Sequence, residues 1–481
     1  MIARRTSMLF SSTIFLFVFL PVVLLLYYGV TKKQNSRNLL LLISSLIFYA
    51  WGEPKFVLVM LLCIGANYVF GYFIDKYRGQ QSKTTPILVG MLVFNLSILG
   101  IFKYAGFIVE NLNNLAHTTF PVPKIALPIG ISFFTFQSIS YVIDVYREKG
   151  KALKNPLDVG LYVALFPQLI AGPIVRYETI ANEIHGRKET ESDFASGIVR
   201  FIIGLSKKVL LANQFALIAD KVYNTGAGNI SVAFAWLGAI AYMLQIYFDF
   251  SGYSDMAIGL GRMFGFHFNE NFNLPYTAKS VSDFWRRWHI SLSTWFRDYV
   301  YFPMGGSRVN SKLKLGRNLL IVWLLTGIWH GANWTFIVWG LYFGVILIIE
   351  KFTGLDKWME KSKVIGHLYT LLLVIISWVL FRAANIGEAI NFIKAMFGMG
   401  NGILVGDLAS FYISESVMLL VIGVIASMPV AKWMKKLYVQ ENQIIQQCNR
   451  VLAMSVLGIL FFVAVAYLVK GTYNPFIYFN F

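Results

Sequence analysis

His330 is the residue whose surroundings most favour chemistry. It lies in Asn318–Ile349, a run without a single Asp, Glu, Lys or Arg. An ionisable side chain is costly to bury in apolar surroundings, so its presence there indicates a function. A neutral imidazole can act as a general base toward a hydroxyl group. Gly327 and Gly331 leave space beside the ring, and Asn333 can orient it. The alternative is a structural histidine that is hydrogen-bonded across helices.

A second histidine, His289, lies in a strongly basic block, Lys279–Arg317, whose acids are Asp283 and Asp298. Such a block favours the cytoplasmic side of a membrane. Ser280 and Asp283 resemble the start of a capped helix. The residues that follow at helical spacing are Trp285, Trp288, His289 and Leu292. They predict one amphipathic helix that lies on the membrane or dips into it, with His289 as an interfacial residue.

The remaining ionisable residues have simpler interpretations. His117, His185 and His367 fall in polar or flanking stretches and are expected at the surface, and His267 is expected to be structural. Asp249 and Asp255 end an apolar run, where we expect them to pair with arginines such as Arg286 and Arg287; the alternative is a polar lining for a hydroxyl-bearing acceptor. No metal-binding pattern, nucleophile elbow, Walker loop or dinucleotide fingerprint occurs in the sequence. We therefore expect no bound metal.

Composition places these residues in a membrane protein. Of the 481 residues, 57% are hydrophobic and 14% are charged, and the mean hydropathy is +0.61. Soluble domains average roughly 25% charged residues, so an ordinary soluble enzyme and a disordered chain are excluded. The net charge of +18 would suggest nucleic acid in a soluble protein. Here the basic residues lie between apolar runs, so cytoplasmic loops explain them and no nucleic-acid partner is expected.

The apolar runs predict an all-α polytopic protein with about ten to twelve transmembrane helices, each needing roughly 20 residues. As one helix, Asn318–Ile349 would measure roughly 48 Å, which exceeds the hydrocarbon core. It therefore predicts a long tilted helix or two helices that each reach part-depth, with a break at Gly327–Asn333. Val159–Val175 contains Pro167, Gly172 and Pro173, which favour a re-entrant segment over a straight helix.

The motifs resemble those of the membrane-bound O-acyltransferase family, and within it the bacterial alginate O-acetyltransferase-like branch. The resemblance rests on long stretches, which are Phe166–Ile174, Gln245–Asp255, Ser282–Tyr301, Leu325–Trp334 and the ending Asn474–Phe481. The family's two histidines correspond to His330 and His289. This resemblance gives His289 a functional role in place of the interfacial one.

The resemblance implies a bundle with re-entrant and interfacial helices around a central tunnel. It implies a single acyltransferase domain over residues 1–481, with N-terminal helices (1–158), a catalytic core (159–350) and C-terminal helices (351–481). His330 is expected as the general base or as a hydrogen-bonding catalyst, and His289 is expected to position the donor or to shape the tunnel. The expected substrate-binding residues are Trp329, Asn333, Trp288, Arg286 and Arg287.

The implied reaction moves an acetyl group from a cytoplasmic thioester, acetyl-coenzyme A, toward hydroxyls of an exported or cell-wall polysaccharide. The protein would be a multi-pass protein of a bacterial cell membrane, in contact with lipid. It would act with a partner of the SGNH-hydrolase type outside the cytoplasm and would hold no bound cofactor. One alternative is D-alanyl transfer to teichoic acid from a carrier-protein thioester. The others are a transporter or lipid flippase with His330 as a proton relay, and a scaffold for polysaccharide export.

Overall fold

The protein is built from helices. The computed structural model describes residues 8–430, 443–471 and 473–477, and these ranges contain no β-strand. Within them, eight helices are long and apolar enough to cross a membrane: Val57–Lys76, Gln81–Ala116, Glu191–Thr225, Val232–Met263, Trp334–Thr353, Ile365–Arg382, Asp407–Ala426 and Gln447–Lys470. A shorter apolar helix is Phe15–Val30. The predicted all-α polytopic architecture is confirmed. The predicted ten to twelve spans are an approximate count, since the described residues contain eight candidate spans.

The chain forms two compact units. The first comprises Met1–Phe201 and Tyr253–Asn269, and the second comprises Ile202–Gly252 and Glu270–Phe481. The expected three-part organisation within a single acyltransferase domain stays a prediction.

The first unit contains mostly apolar helices. Besides the spans, its helices include Gln34–Gly52, Ile131–Tyr146 and Pro156–Ala164. Asn67 and Asn95 lie on adjacent helices and exchange two hydrogen bonds, of 3.0 and 2.9 Å. Paired amides of this kind hold apolar helices together because neither side chain then lacks a partner in the protein interior.

The break predicted within Val159–Val175 is confirmed. The helix Pro156–Ala164 ends, a single turn Phe166–Leu169 follows, and the chain then leaves helical geometry. Residues 159–175 are all buried. Non-helical backbone at membrane depth is tolerated where protein covers it, so this burial agrees with a re-entrant segment.

The second unit contains both candidate histidines. Its helices beyond the spans include Val281–Arg287, Ile290–Phe296, Lys312–His330, Leu355–Lys361 and Ile386–Met396. Lys312–His330 and Trp334–Thr353, which we call the hairpin, are separated by three residues at the predicted break. The first of these helices starts inside the basic block, before the uncharged run. The two helices therefore measure 19 and 20 residues. The alternative of one long tilted helix is wrong, the two helices with a break at Gly327–Asn333 are confirmed, and their depth in the membrane stays a prediction.

Glycines allow the two hairpin helices to approach closely. A Cβ atom on Gly340 would lie 2.3 Å from the carbonyl oxygen of Trp323, and one on Gly327 would lie 2.4 Å from that of Phe336. These distances leave no room for a side chain at either position. The open space expected at Gly327 is therefore absent, because the second hairpin helix fills it.

Candidate active site

His330 is the last residue of the first hairpin helix. Its side chain is 4% exposed and lies among aromatic rings. Its ring centroid is 5.0 Å from that of Trp329, 4.9 Å from that of Trp339 and 5.2 Å from that of Phe381. The imidazole is therefore held in an aromatic pocket, in agreement with the burial expected from the sequence.

The residues after His330 have roles in the turn itself. Asn333 Oδ1 accepts a hydrogen bond from the Thr335 amide at 3.0 Å, which caps the second hairpin helix. Asn333 Nδ2 donates to the Ala384 carbonyl at 2.9 Å. A Cβ atom on Gly331 would lie 2.3 Å from the ring of Phe336, so the expected open space beside Gly331 is absent. The amide of Asn333 shapes the turn, and its expected contact with substrate stays a prediction.

His289 lies at a break between two short helices. Val281–Arg287 ends before it, Ile290–Phe296 begins after it, and His289 has a φ angle of 44°. The predicted single helix through Trp285, Trp288 and Leu292 is wrong. A left-handed conformation is unusual for a histidine and persists only where surrounding contacts hold it. Its side chain is fully buried, so the interfacial interpretation from the residues alone is also wrong.

Asn271 determines which nitrogen of His289 carries the proton. Its Oδ1 accepts hydrogen bonds from the Ser291 amide at 3.2 Å and the Ser291 hydroxyl at 2.9 Å. The same oxygen lies 3.2 Å from His289 Nδ1. Since this oxygen is an acceptor, Nδ1 must donate, which leaves Nε2 with its lone pair. Among the described residues, no hydrogen-bond partner lies at Nε2.

The burial of His289 keeps it neutral. The segment lies outside the candidate membrane spans, and desolvation lowers the pKa of His289 to about 3. The Phe250 ring and the imidazole pack edge to face, with centroids 4.6 Å apart. A neutral imidazole with an available lone pair can accept a proton or a hydrogen bond from a substrate.

One indole connects the two histidines. The ring centroid of Trp329 lies 6.1 Å from that of His289 and 5.0 Å from that of His330. All three side chains are buried. The structure thus brings together two residues that are distant in the sequence, and it places the predicted residue Trp329 between them.

The other predicted binding residues contact protein groups. Trp288 is 2% exposed, and its ring centroid lies 4.9 Å from that of Trp378. Arg286 Nη2 lies 2.6 Å from Glu360 Oε1, and Arg287 Nε lies 3.0 Å from Asp283 Oδ2. Trp288 is therefore a packing residue in this structure, and both arginines have acidic partners.

Asp249 and Asp255 are paired with basic residues, but not with the arginines expected. Lys208 Nζ lies 2.6 Å from Asp249 Oδ1, and both side chains are 2% exposed. Arg200 Nη2 lies 2.6 Å from Asp255 Oδ1. The expectation of ion pairing is confirmed, and the expected partners are wrong.

A cavity of about 740 Å³ lies beside the two short helices and the hairpin. Its basic lining residues are Arg286, Arg297 and Lys351, and Trp285 and Trp323 contribute an aromatic wall. Ile290 lines it directly after His289, and Thr326 lines it one turn before His330. Arg287 is not among its lining residues. The cavity could receive an anionic molecule that has an apolar arm.

Sequence reasoning did not find Asn271, Lys208 or Glu350. Each is buried, and none belongs to a recognisable motif. The position of Glu350 directly after the uncharged run could have indicated a buried charge. Nothing in the sequence around Asn271 indicates its role. Within the described ranges, no three His, Cys, Asp or Glu side chains lie close enough together to hold a metal ion.

Comparison with known proteins identifies the family. The family model described as membrane-bound O-acyltransferase matches residues 43–386, a range that contains both histidines and the cavity. The chain belongs to the membrane-bound O-acyltransferase family. As a member of this family with several apolar helices, it is a multi-pass acyltransferase of the bacterial inner membrane.

The relatives of this acyltransferase include proteins that act on bacterial polymers. The chain is 41% identical over 98% of its length to a probable alginate O-acetylase of Pseudomonas putida, which is covered over 100% of its length. It is 37% identical to a peptidoglycan O-acetyltransferase of Helicobacter pylori, with 84% of this chain and 82% of the relative covered. A teichoic acid D-alanyltransferase of Bacillus subtilis is 27% identical, with 72% and 87% covered.

Proposed function

We propose that the protein transfers an acetyl group from a cytoplasmic thioester to hydroxyl groups of an exported or cell-wall polysaccharide. Two relatives at 41% and 37% identity are named for O-acetyl transfer to alginate and to peptidoglycan. Both named acceptors contain polysaccharide chains, which carry hydroxyl groups. The D-alanyl alternative has weaker support, because its named relative is 27% identical. Family membership favours transfer chemistry over the transporter and scaffold alternatives.

The observation that carries the chemical proposal is the pair of buried histidines that both lie against Trp329. In the reaction, the hydroxyl oxygen attacks the thioester carbonyl, a C–O bond forms and the C–S bond breaks. His330 removes the hydroxyl proton, which then goes to the departing thiolate. His289 accepts a hydrogen bond from substrate at Nε2. General bases of this kind contribute about 10²–10⁴-fold to a rate.

The cavity beside the histidines suits the donor. Acetyl-coenzyme A has phosphates at one end. Its long arm would fit a path with apolar walls. Lys351 supplies positive charge for the phosphates, and Arg286 and Arg297, which also pair with Glu360 and Asp298, supply further hydrogen-bond donors. Trp285 and Trp323 supply the apolar wall. The tunnel from this cavity to the outer face, and a partner of the SGNH-hydrolase type that receives the acetyl group there, remain part of the proposal.

Histidine variants test the proposal. His330→Ala and His330→Gln should abolish acetylation, and His289→Ala should lower it severely, while all three proteins reach the membrane at normal yield. The measurements are polymer acetyl content in cells and thioester turnover by purified, monodisperse protein. His117→Asn is the matched control, because His117 is exposed and has a φ angle of 52° that asparagine tolerates.

Two outcomes would contradict the proposal. Wild-type acetyl content in both His330 variants would remove this histidine from the chemistry. Turnover of a D-alanyl carrier-protein thioester, with no turnover of acetyl-coenzyme A, would support the D-alanyl alternative.

A further inference from the structure

Glu350 is a buried carboxylate near the end of the second hairpin helix. Its side chain is fully buried. Oε1 accepts a hydrogen bond from the Val281 amide at 2.8 Å. Oε2 accepts two more, from the Ser282 amide at 2.8 Å and the Ser282 hydroxyl at 2.7 Å. A buried carboxylate is stable where charge-assisted hydrogen bonds of this kind replace water.

These bonds supply acceptors for the first amides of the short helix Val281–Arg287. Seven residues are too few for a helix to be stable by itself, and the first amides of any helix have no partner within it. Ser280 Oγ accepts from the Asp283 amide at 3.0 Å, and Glu350 accepts from the two amides before it. A negative charge at a helix N-terminus is also favourable.

The short helix extends along the hairpin from Glu350 toward the histidines. Midway, the ring of Trp285 packs against those of Phe343 and Trp339, with centroids 5.0 and 5.7 Å away. Trp339 in turn contacts the His330 ring at 4.9 Å. The helix ends two residues before His289. The position of its first turn therefore determines where His289 lies relative to the hairpin.

We propose that Glu350 is a positioning residue, which holds the helix leading to His289 in a defined register on the hairpin that carries His330. This inference rests on the function proposed for the two histidines. Glu350 touches neither histidine, so it acts through the backbone of the short helix.

Glu350→Gln tests the inference with almost no change of volume. An amide has a single acceptor oxygen, and its NH₂ group would face a donor from the short helix. Since misplacement by about 1 Å can cost about 100-fold, we expect kcat to fall by about 10- to 100-fold. We expect the KM for the donor to change less than kcat, because only Trp285 and Arg286 of the proposed donor-binding side chains lie on the short helix. Glu350→Asp keeps the charge and should recover part of kcat.

Hydrogen exchange provides a readout that does not depend on activity. In purified Glu350→Gln, the amides of Val281 and Ser282 should exchange faster than in the wild type, while those of the helix Asp407–Ala426 should not change. Glu415→Gln is the control, because Glu415 is an exposed carboxylate in the same unit. If Glu350→Gln does not yield monodisperse protein, Ser282→Ala decides, since it removes one of the three bonds that Glu350 accepts from the short helix and should accelerate the same exchange.

Wild-type kcat or unchanged exchange at residues 281 and 282 would overturn the inference. Its failure is distinguishable from that of the proposed function. An inactive His289→Ala with a fully active Glu350→Gln would refute only the positioning role, whereas a fully active His289→Ala would refute the function proposed for the histidine itself.

Discussion

Removing one member of the buried pair Lys208–Asp249 should destabilise the second unit strongly. The two charges lie 2.6 Å apart, and each side chain is 2% exposed. The pair also holds residues 473–477, which we call the C-terminal segment. Asp249 Oδ2 accepts a hydrogen bond from the Ile477 amide at 2.9 Å, and Lys208 Nζ donates one to the Pro475 carbonyl. Loss of one partner leaves an uncompensated buried charge, which costs about 3–5 kcal/mol.

The loss in the free energy of unfolding should depend on which charges remain. Lys208→Met and Asp249→Asn should each lower the free energy of unfolding by about 3–5 kcal/mol. The double variant should lose much less than the sum of the two, because it buries no unpaired charge. Lys221→Met is the matched control, because Lys221 is exposed on the same long helix. It should stay within about 0.5 kcal/mol of the wild type.

Thermal unfolding of the purified protein in detergent measures these differences. Single variants as stable as Lys221→Met would refute the reasoning. A double variant as unstable as the sum of the singles would show that packing around the C-terminal segment, and not the unpaired charge, carries the energy.

Three further predictions concern the site and its orientation. Gly331→Leu should inactivate the protein by displacing the Phe336 ring, and Phe336→Ala in the same chain should restore part of the thioester turnover; no restoration would argue for a blocked passage instead. Because burial lowers the pKa of His289 to about 3 from 6.5, the unfolded chain binds a proton there below pH 6.5 that the folded protein does not. The free energy of unfolding should therefore be roughly 1.4 kcal/mol lower at pH 5.5 than at a pH well above 6.5. A His289→Gln protein that loses as much over the same pH range would contradict this. In a Cys448→Ser background, which removes the exposed native thiol, Ser311→Cys should react with an impermeant reagent only after lysis; labelling of intact cells would reverse the predicted cytoplasmic orientation.

Much of the hairpin could be predicted from the sequence. An uncharged run longer than a membrane span had to break, and the glycines around His330 indicated where. The lengths of the two helices could not be predicted, because the first begins among basic residues that a search for uncharged runs leaves out. Helix ends depend on caps such as Ser311, whose hydroxyl accepts from the Leu313 amide at 3.2 Å, as well as on hydropathy.

The environment of His289 shows where pattern reasoning fails. The spacing of its aromatic neighbours is that of one continuous helix, and nothing local indicates a break. The break exists because Asn271, distant in the sequence, bonds both the imidazole and the Ser291 amide. A left-handed residue is costly by itself, so only such contacts from elsewhere in the fold can maintain it.

The sequence by itself determined that this is a helical membrane protein and that His330 is buried in a broken apolar run. These conclusions follow from composition and hydropathy, which act locally along the chain. The tertiary structure decided the tautomer of His289, the partners of Asp249 and Asp255, and the meeting of the two histidines at Trp329. These depend on which side chains meet across distant segments, and in apolar surroundings each buried polar group is stable only beside the partner that the fold brings to it.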